Sequence, residues 1–226
     1  MRHRMGVLLS VDALLLDVHD ARAQAWVEAI AEHGEKLRFE TIRRHVSLVP
    51  HELLNLSIGA GLDTTAGAAI AERAKTIFAS RYLSRVPAHY RAKELLSSLM
   101  RSGLRVIAVS ADPVEVLLPM LHKLDADNLV HRATYPAKNE RLGARRDLLR
   151  VALDRASLTP KTAIQLTDSP DDVLSAQKLG LASVALESGG WSRDELKSAS
   201  GLYRDPGKLL DGLLASPLFR DSDDAV

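Results

Sequence analysis

The sequence predicts an α/β protein: a doubly wound parallel sheet with an all-helical domain inserted after the first strand. Three observations carry this. Short apolar runs of strand length recur along the chain and alternate with segments of helical spacing, the pattern that yields parallel strands covered by helices on both faces. One stretch, residues 18–88, breaks the alternation and is helical throughout, which divides the chain into a core of residues 1–17 and 89–226 and an insert of 18–88. Acidic and hydroxyl side chains follow three of the strands, at the edge where such sheets hold ligands.

The elements follow in order. Val7-Leu8-Leu9-Ser10-Val11 reads as a buried strand. Residues 21–33 read as a helix, with Ala25, Trp26, Ala29 and Ile30 at helical spacing and Gly34 as its stop. Within the insert, residues 52–58 give a short helix and 65–84 a long one carrying Ile70, Ala74, Ile77 and Phe78, and Pro87 ends the region. Trp26 and Phe78 are expected in the core of the insert. After it come a helix at 90–102 closed by Gly103, a strand at 104–109, and helices at 113–124 and 146–156. A strand at 163–166, a helix at 170–179 closed by Gly180, a strand at 181–186, a short strand at 202–203 and a helix at 206–214 complete the series. The acidic tail, 221–224, is expected to fray.

Composition narrows the function. Of 226 residues, 46% are hydrophobic and 26% charged, as in ordinary globular proteins. Thirty Lys and Arg against 29 Asp and Glu give a net charge of +1, so no strong field favours nucleic acid or a membrane surface. The absence of Cys excludes disulfides, thiolate metal sites and a cysteine nucleophile. No apolar run approaches the roughly 20 residues that span a bilayer. The basic start, Met1-Arg2-His3-Arg4-Met5, is followed by a stretch interrupted by Ser10 and Asp12, a poor signal peptide, so a cytoplasmic location is expected.

The strand ends supply the candidate site. Asp12 follows the first strand, with Asp17 five residues on. Ser110, Ala111 and Asp112 follow the strand at 104–109. Thr167, Asp168, Ser169, Asp171 and Asp172 follow the strand at 163–166. Singly, such residues are as often helix caps and turn formers. Together at one edge they form a cluster of acidic oxygens and a hydroxyl, suited to a hard cation such as Mg²⁺ and to a phosphate.

These motifs resemble those of the haloacid dehalogenase-like hydrolase superfamily. Its first motif is an apolar strand followed by Asp-x-Asp-Gly-Thr/Val-Leu-x-Asp, and residues Val7 to Asp17 are similar to it. Val106 to Ser110 resembles its second motif, a strand ending in Ser or Thr. Glu140-Arg141-Leu142-Gly143-Ala144-Arg145-Arg146-Asp147 stands where the family has Ser-Lys-Pro-x-Pro-Asp. Thr167-Asp168-Ser169-Pro170-Asp171-Asp172 resembles Gly-Asp-x-x-x-Asp, and Gly189-Gly190-Trp191-Ser192 with Leu196 resembles the end of phosphoglycolate-phosphatase-like members. The resemblance spans essentially the whole chain and implies a Rossmann-like core with a helical cap. It further implies an attacking aspartate, a second Asp as general acid and base, a Lys and a hydroxyl on the phosphoryl oxygens, and Mg²⁺.

The departures fall on the chemistry. Ser10 occupies the nucleophile position and Gly143 the Lys position, while Ala13, Leu14 and Thr167 are also off pattern. The catalytic set is therefore Ser10, Asp12, Ser110 and Gly143, with two of its four members substituted. The phosphate-binding set is Asp12, Ala13, Ser110 and Ala111, and the metal set is Asp12, Asp168 and Asp172, expected to hold Mg²⁺ weakly or not at all. With Ser10 and Gly143 one negative and one positive charge are lost together, so the three aspartates need either another cation or a proton. Lys138, Arg141, Arg145 and Arg146 lie nearby. Arg141 and Arg145 are the candidates to replace the Lys, and the plainer reading of the run is a basic surface. His45 and His51 are cap candidates for lining the cleft. The expected function is a pseudophosphatase with little or no activity, its ligand a phosphate-bearing small molecule. A weakly active Mg²⁺-dependent phosphomonoesterase and an interaction protein with a vestigial cleft are the alternatives.

Overall fold

The computed structural model describes residues 5–59, 64–135 and 145–219. Two compact units result, residues 1–17 with 88–226 and residues 18–87.

The first unit is built on strands β1 (Gly6–Ser10), β2 (Arg105–Val109), β3 (Ala163–Thr167), β4 (Ala182–Leu186) and β5 (Gly201–Tyr203). Every neighbouring pair is parallel and the order is β2-β1-β3-β4-β5. All residues of β1 and β3 are buried, as expected of strands covered on both faces. Leu8 of β1 packs with Ile107 and Val109 of β2, Leu148, Leu149 and Leu153 of helix α8 (Arg145–Arg155), and Ala176 of α9 (Pro170–Lys178). Val7 and Leu9 point the other way and are equally buried. Helix α6 (Ala92–Arg101) runs against β2 and against α10 (Pro206–Asp211). Helix α7 (Val114–Lys123) follows β2.

The sequence placed Val11 at the end of the first strand. It instead opens a short helix, α1 (Val11–Leu15), so the chain turns immediately after Ser10. Gly103 (φ 85°) and Gly180 (φ 68°) are left-handed, as the predicted helix stops require. After α9 the amides of Gly180 and Leu181 return to the carbonyls of Gln177 and Ala176 at 3.0 Å each. The acidic tail lies outside the described residues.

The second unit holds α2 (His19–Glu32), α3 (Phe39–His45), α4 (Pro50–Ser57) and α5 (Thr64–Ile77). Helix α2 packs on α5 and α3, burying Ile30, Ile42, Leu53, Ile70, Ile77 and Phe78. Arg73 forks onto Glu32 at 2.5 and 2.8 Å, Arg81 bonds Glu28 at 2.7 Å, and Tyr82 donates to the same Glu28. Arg22 lies 4.5 Å above the Phe78 ring. Two expectations are corrected. The long helix foreseen at 65–84 widens at Phe78–Tyr82 into a π-turn and tightens at Leu83–Arg85 into a 3₁₀ turn. The Thr76 and Ser80 hydroxyls bond back to the carbonyls of Glu72 and Thr76, a pattern that bends helices. Trp26 is only half-buried, because the inward stripe of α2 runs through Ala23, Ala25, Ala29 and Ile30 and leaves the indole at its border.

Leu8→Ala removes a fully buried side chain from the centre of the sheet. It should cost the first unit about 2–5 kcal/mol, read as a lower urea midpoint of that unit's unfolding with an unchanged slope.

Candidate functional site

Because β2, β1 and β3 are adjacent and parallel, their carboxyl ends share one edge. Ser10 stands opposite Val109, and Leu9 opposite Leu166, so Ser110, Ser10 with Asp12, and Thr167 with Asp168 arrive side by side. Asp172 joins them from α9. Ser169 caps that helix, its hydroxyl accepting the Asp172 amide at 3.3 Å, with Pro170 in the first turn. Helix α8 adds its first residue, Arg145.

Asp172 is the centre of the network. Its Oδ1 accepts from Arg145 Nε at 2.6 Å, and its Oδ2 from Arg145 Nη2 at 3.1 Å, Thr167 Oγ1 at 2.7 Å and Ser10 Oγ at 2.8 Å. The side chains of Arg145 and Asp172 are only 7% and 2% exposed. Gln165, two residues before Thr167 on the same face of β3, places its amide nitrogen 3.5 Å from Ser10 Oγ. At the neighbouring strand end, Ser110 Oγ donates to Asp12 Oδ1 at 3.3 Å and accepts the Asp112 amide at 3.1 Å.

Among the described residues, the electrostatics follow from the Arg145 cation and three carboxylates. Burial opposes charge on Arg145, but Asp172 first, then Asp12 and Asp168, hold the guanidinium protonated and raise its pKa. Burial also opposes charge on Asp172, yet Arg145 and the Thr167 and Ser10 hydroxyls hold its carboxyl below the usual range. Asp168 goes the opposite way. Burial, then repulsion from Asp172 and Asp12, pushes it up to about 8, against the pull of Arg145. A Cβ on Gly189 would lie 2.4 Å from Asp168 Oδ2, so that carboxyl is closed in by backbone.

The reading of the basic run as surface is therefore corrected for Arg145, which is 6% exposed and points into the site. Gly143, Lys138 and Arg141 lie outside the described residues. Asp172, expected among the metal ligands, spends both oxygens on Arg145, and Ser10 offers a neutral hydroxyl where a carboxylate was expected. Among the described residues no group of three His, Asp or Glu side chains is arranged to hold a metal ion. This donor set does not fit Mg²⁺, which demands several oxygen ligands and gives up its own water reluctantly.

The other candidates fall as follows. Ala111 is half-buried just past β2, and Ala13 lies in α1. His45 closes α3, half-buried, and His51 is exposed in the first turn of α4, both in the helical unit. The sequence reading missed Gln165 and had Thr167 only as an off-pattern member of the strand-end cluster, without its bond to Asp172. A polar residue at alternate positions of an otherwise apolar strand, on the face shared with Ser10, was the available signal.

The sequence matches no family model and no curated protein at a significant level. The fold, however, matches many solved structures. A hydrolase from Pseudomonas syringae superposes with a TM-score of 0.83 at 20% identity, over 93% of this chain and 98% of that one. A predicted phosphatase from Clostridium acetobutylicum gives 0.80 at 17% identity, over 94% and 99%. A haloacid dehalogenase-like family hydrolase from Streptococcus pneumoniae gives 0.74 at 14%, over 93% and 98%. The chain thus has the fold of the haloacid dehalogenase-like hydrolases, a parallel Rossmann-like sheet with flanking helices.

Two measurements check the electrostatics. Arg145→Met strands a buried carboxylate and should cost about 3–5 kcal/mol, whereas adding Asp172→Asn should recover part of that loss, a coupling that a double-mutant cycle in urea reads directly. Asp168 binds a proton in the folded state, with a pKa of about 8, that it loses in the unfolded chain near 3.8. Its contribution to stability is therefore complete at acid pH and is lost as pH rises through about 8. The stability of the native protein relative to Asp168→Asn should fall between about pH 5 and pH 8.5, and a pH-independent difference would contradict the assignment.

Proposed function

We propose that this protein is a catalytically silent relative of the haloacid dehalogenase-like phosphatases, acting by binding rather than by phosphoryl transfer. One observation carries the reading. Ser10, at the position where the resemblance places the attacking carboxylate, donates its proton to a carboxylate already held in its charged form by Arg145. A serine becomes a nucleophile only when a base takes its proton. A carboxylate with a depressed pKa is a poor base for that task. Transfer to Ser10 would in any case give an alkyl phosphate monoester, whose uncatalysed hydrolysis is among the slowest reactions known, instead of a labile acyl phosphate. Loss of a nucleophile from a cooperating set costs on the order of 10⁴–10⁶ in rate.

Ser110 and the Asp12 turn remain at the strand edge, and a phosphate-bearing small molecule is the ligand class that this position suits. The test is an assay of the purified protein on a panel of phosphomonoesters with Mg²⁺. Turnover should stay at background in the native protein and in Asp12→Asn. Ser10→Asp should restore little, since its carboxylate would face Asp172 Oδ2, whose partner Arg145 is already engaged. Mg²⁺-dependent turnover that Asp12→Asn abolishes would overturn the reading.

A further inference from the structure

We infer that Arg145 is the resident cation of the strand-edge site: a tethered guanidinium that takes the place of a divalent metal and keeps the site closed to Mg²⁺. The inference stands on geometry and goes beyond the silence of the site, since it holds whether or not the protein turns over a substrate. Arg145 is nearly inaccessible, and both of its bonds to Asp172 run from the fork of one guanidinium to the two oxygens of one carboxylate, at 2.6 and 3.1 Å. That arrangement is strong and directional. It takes one acceptor position on each oxygen, and the Ser10 and Thr167 hydroxyls crowd Oδ2 further, so a metal would have to compete for this carboxylate. The same positive charge interacts favourably with Asp12 and Asp168, so it serves all three carboxylates that a divalent ion would have to bind. A metal entering here would have to displace the guanidinium from Asp172 and lodge beside its positive charge, both unfavourable.

The substitutions around it agree with a built-in cation. Ser10 and Thr167 each present a hydroxyl donor to Asp172 Oδ2, so that oxygen has three donors with the Arg145 guanidinium and no acceptor position is left open on it. An aspartate at position 10 would instead set a second carboxylate against Asp172, a repulsion that a divalent ion offsets and a single guanidinium does not.

The probe is Mn²⁺ alone, followed through the electron paramagnetic resonance signal of the free ion. The native protein should show no saturable site. Arg145→Lys, which keeps the charge, should also show none. Arg145→Ala should gain one site at least an order of magnitude tighter than any binding by the native protein, and Asp168→Asn added to it should remove that site. Mg²⁺ should raise the unfolding midpoint of Arg145→Ala and leave that of the native protein unchanged. If Arg145→Ala fails to fold in chelator, Mg²⁺ should restore its far-ultraviolet circular dichroism, and absence of recovery counts against the inference. A saturable Mn²⁺ site in the native protein that Asp168→Asn abolishes would overturn it, as would a folded Arg145→Ala that gains no site. Metal-free phosphatase activity would sink the silent reading and leave this one intact, so the two fail separately.

Discussion

The buried pair of Arg145 and Asp172 is the interaction on which the rest of the site depends. Taking two charges out of water is costly, and their attraction offsets the cost only where geometry is good and the remaining hydrogen-bonding positions are filled. Both conditions are met, and the filling groups come from different parts of the chain: Ser10 from the end of β1, Thr167 from the end of β3, and Arg145 from the start of α8. Three elements are thus tied to one carboxylate carried by a fourth, α9. Residues that look like scattered losses when compared with a phosphatase motif become a coherent set once Asp172 is seen as the acceptor of all of them.

The same pair sorts the three aspartates into different roles. Asp172 holds the cation and stays charged. Asp12 lies further out, half-buried, where the Ser110 hydroxyl reaches it. Asp168 is buried and repelled by both, with the backbone of Gly189 against its carboxyl. Arg145 is paired with Asp172, and at the equally buried Asp168 burial and the repulsion of its two neighbours favour the protonated form.

The fold was largely legible because its signals are local. Apolar runs announced β1 to β4, glycines marked the ends of α6 and α9, and the long helical interruption announced the second unit. Helix α3 was foreseen only as part of the helical stretch and not delimited, since Phe39 to His45 carries five polar residues in seven and buries only Ile42. The site was legible where it follows strand ends: Ser10, Asp12, Ser110 and Asp168 fall where the parallel order requires. Arg145 was a candidate set below the surface reading, because a run of arginines looks the same on a surface as on a buried helix face. Only the packing of α8 against β1 and β2 distinguishes them. Gln165 and Thr167 needed knowledge of which strand face meets Ser10, and that depends on register between segments about 155 residues apart.

The strand order also bears on how the chain folds as it leaves the ribosome. Strand β1 is made first, yet its neighbours are β2 and β3, which begin about 100 and 155 residues later. The helical unit is one uninterrupted segment with its own core, so it can be complete while β1 still lacks both partners. Until then the apolar run from Gly6 to Ser10 has no ladder, and its edges are open to any other extended chain. The unit that carries the site is thus assembled last, from its own two ends, with a loop-closure cost that slows it relative to the insert.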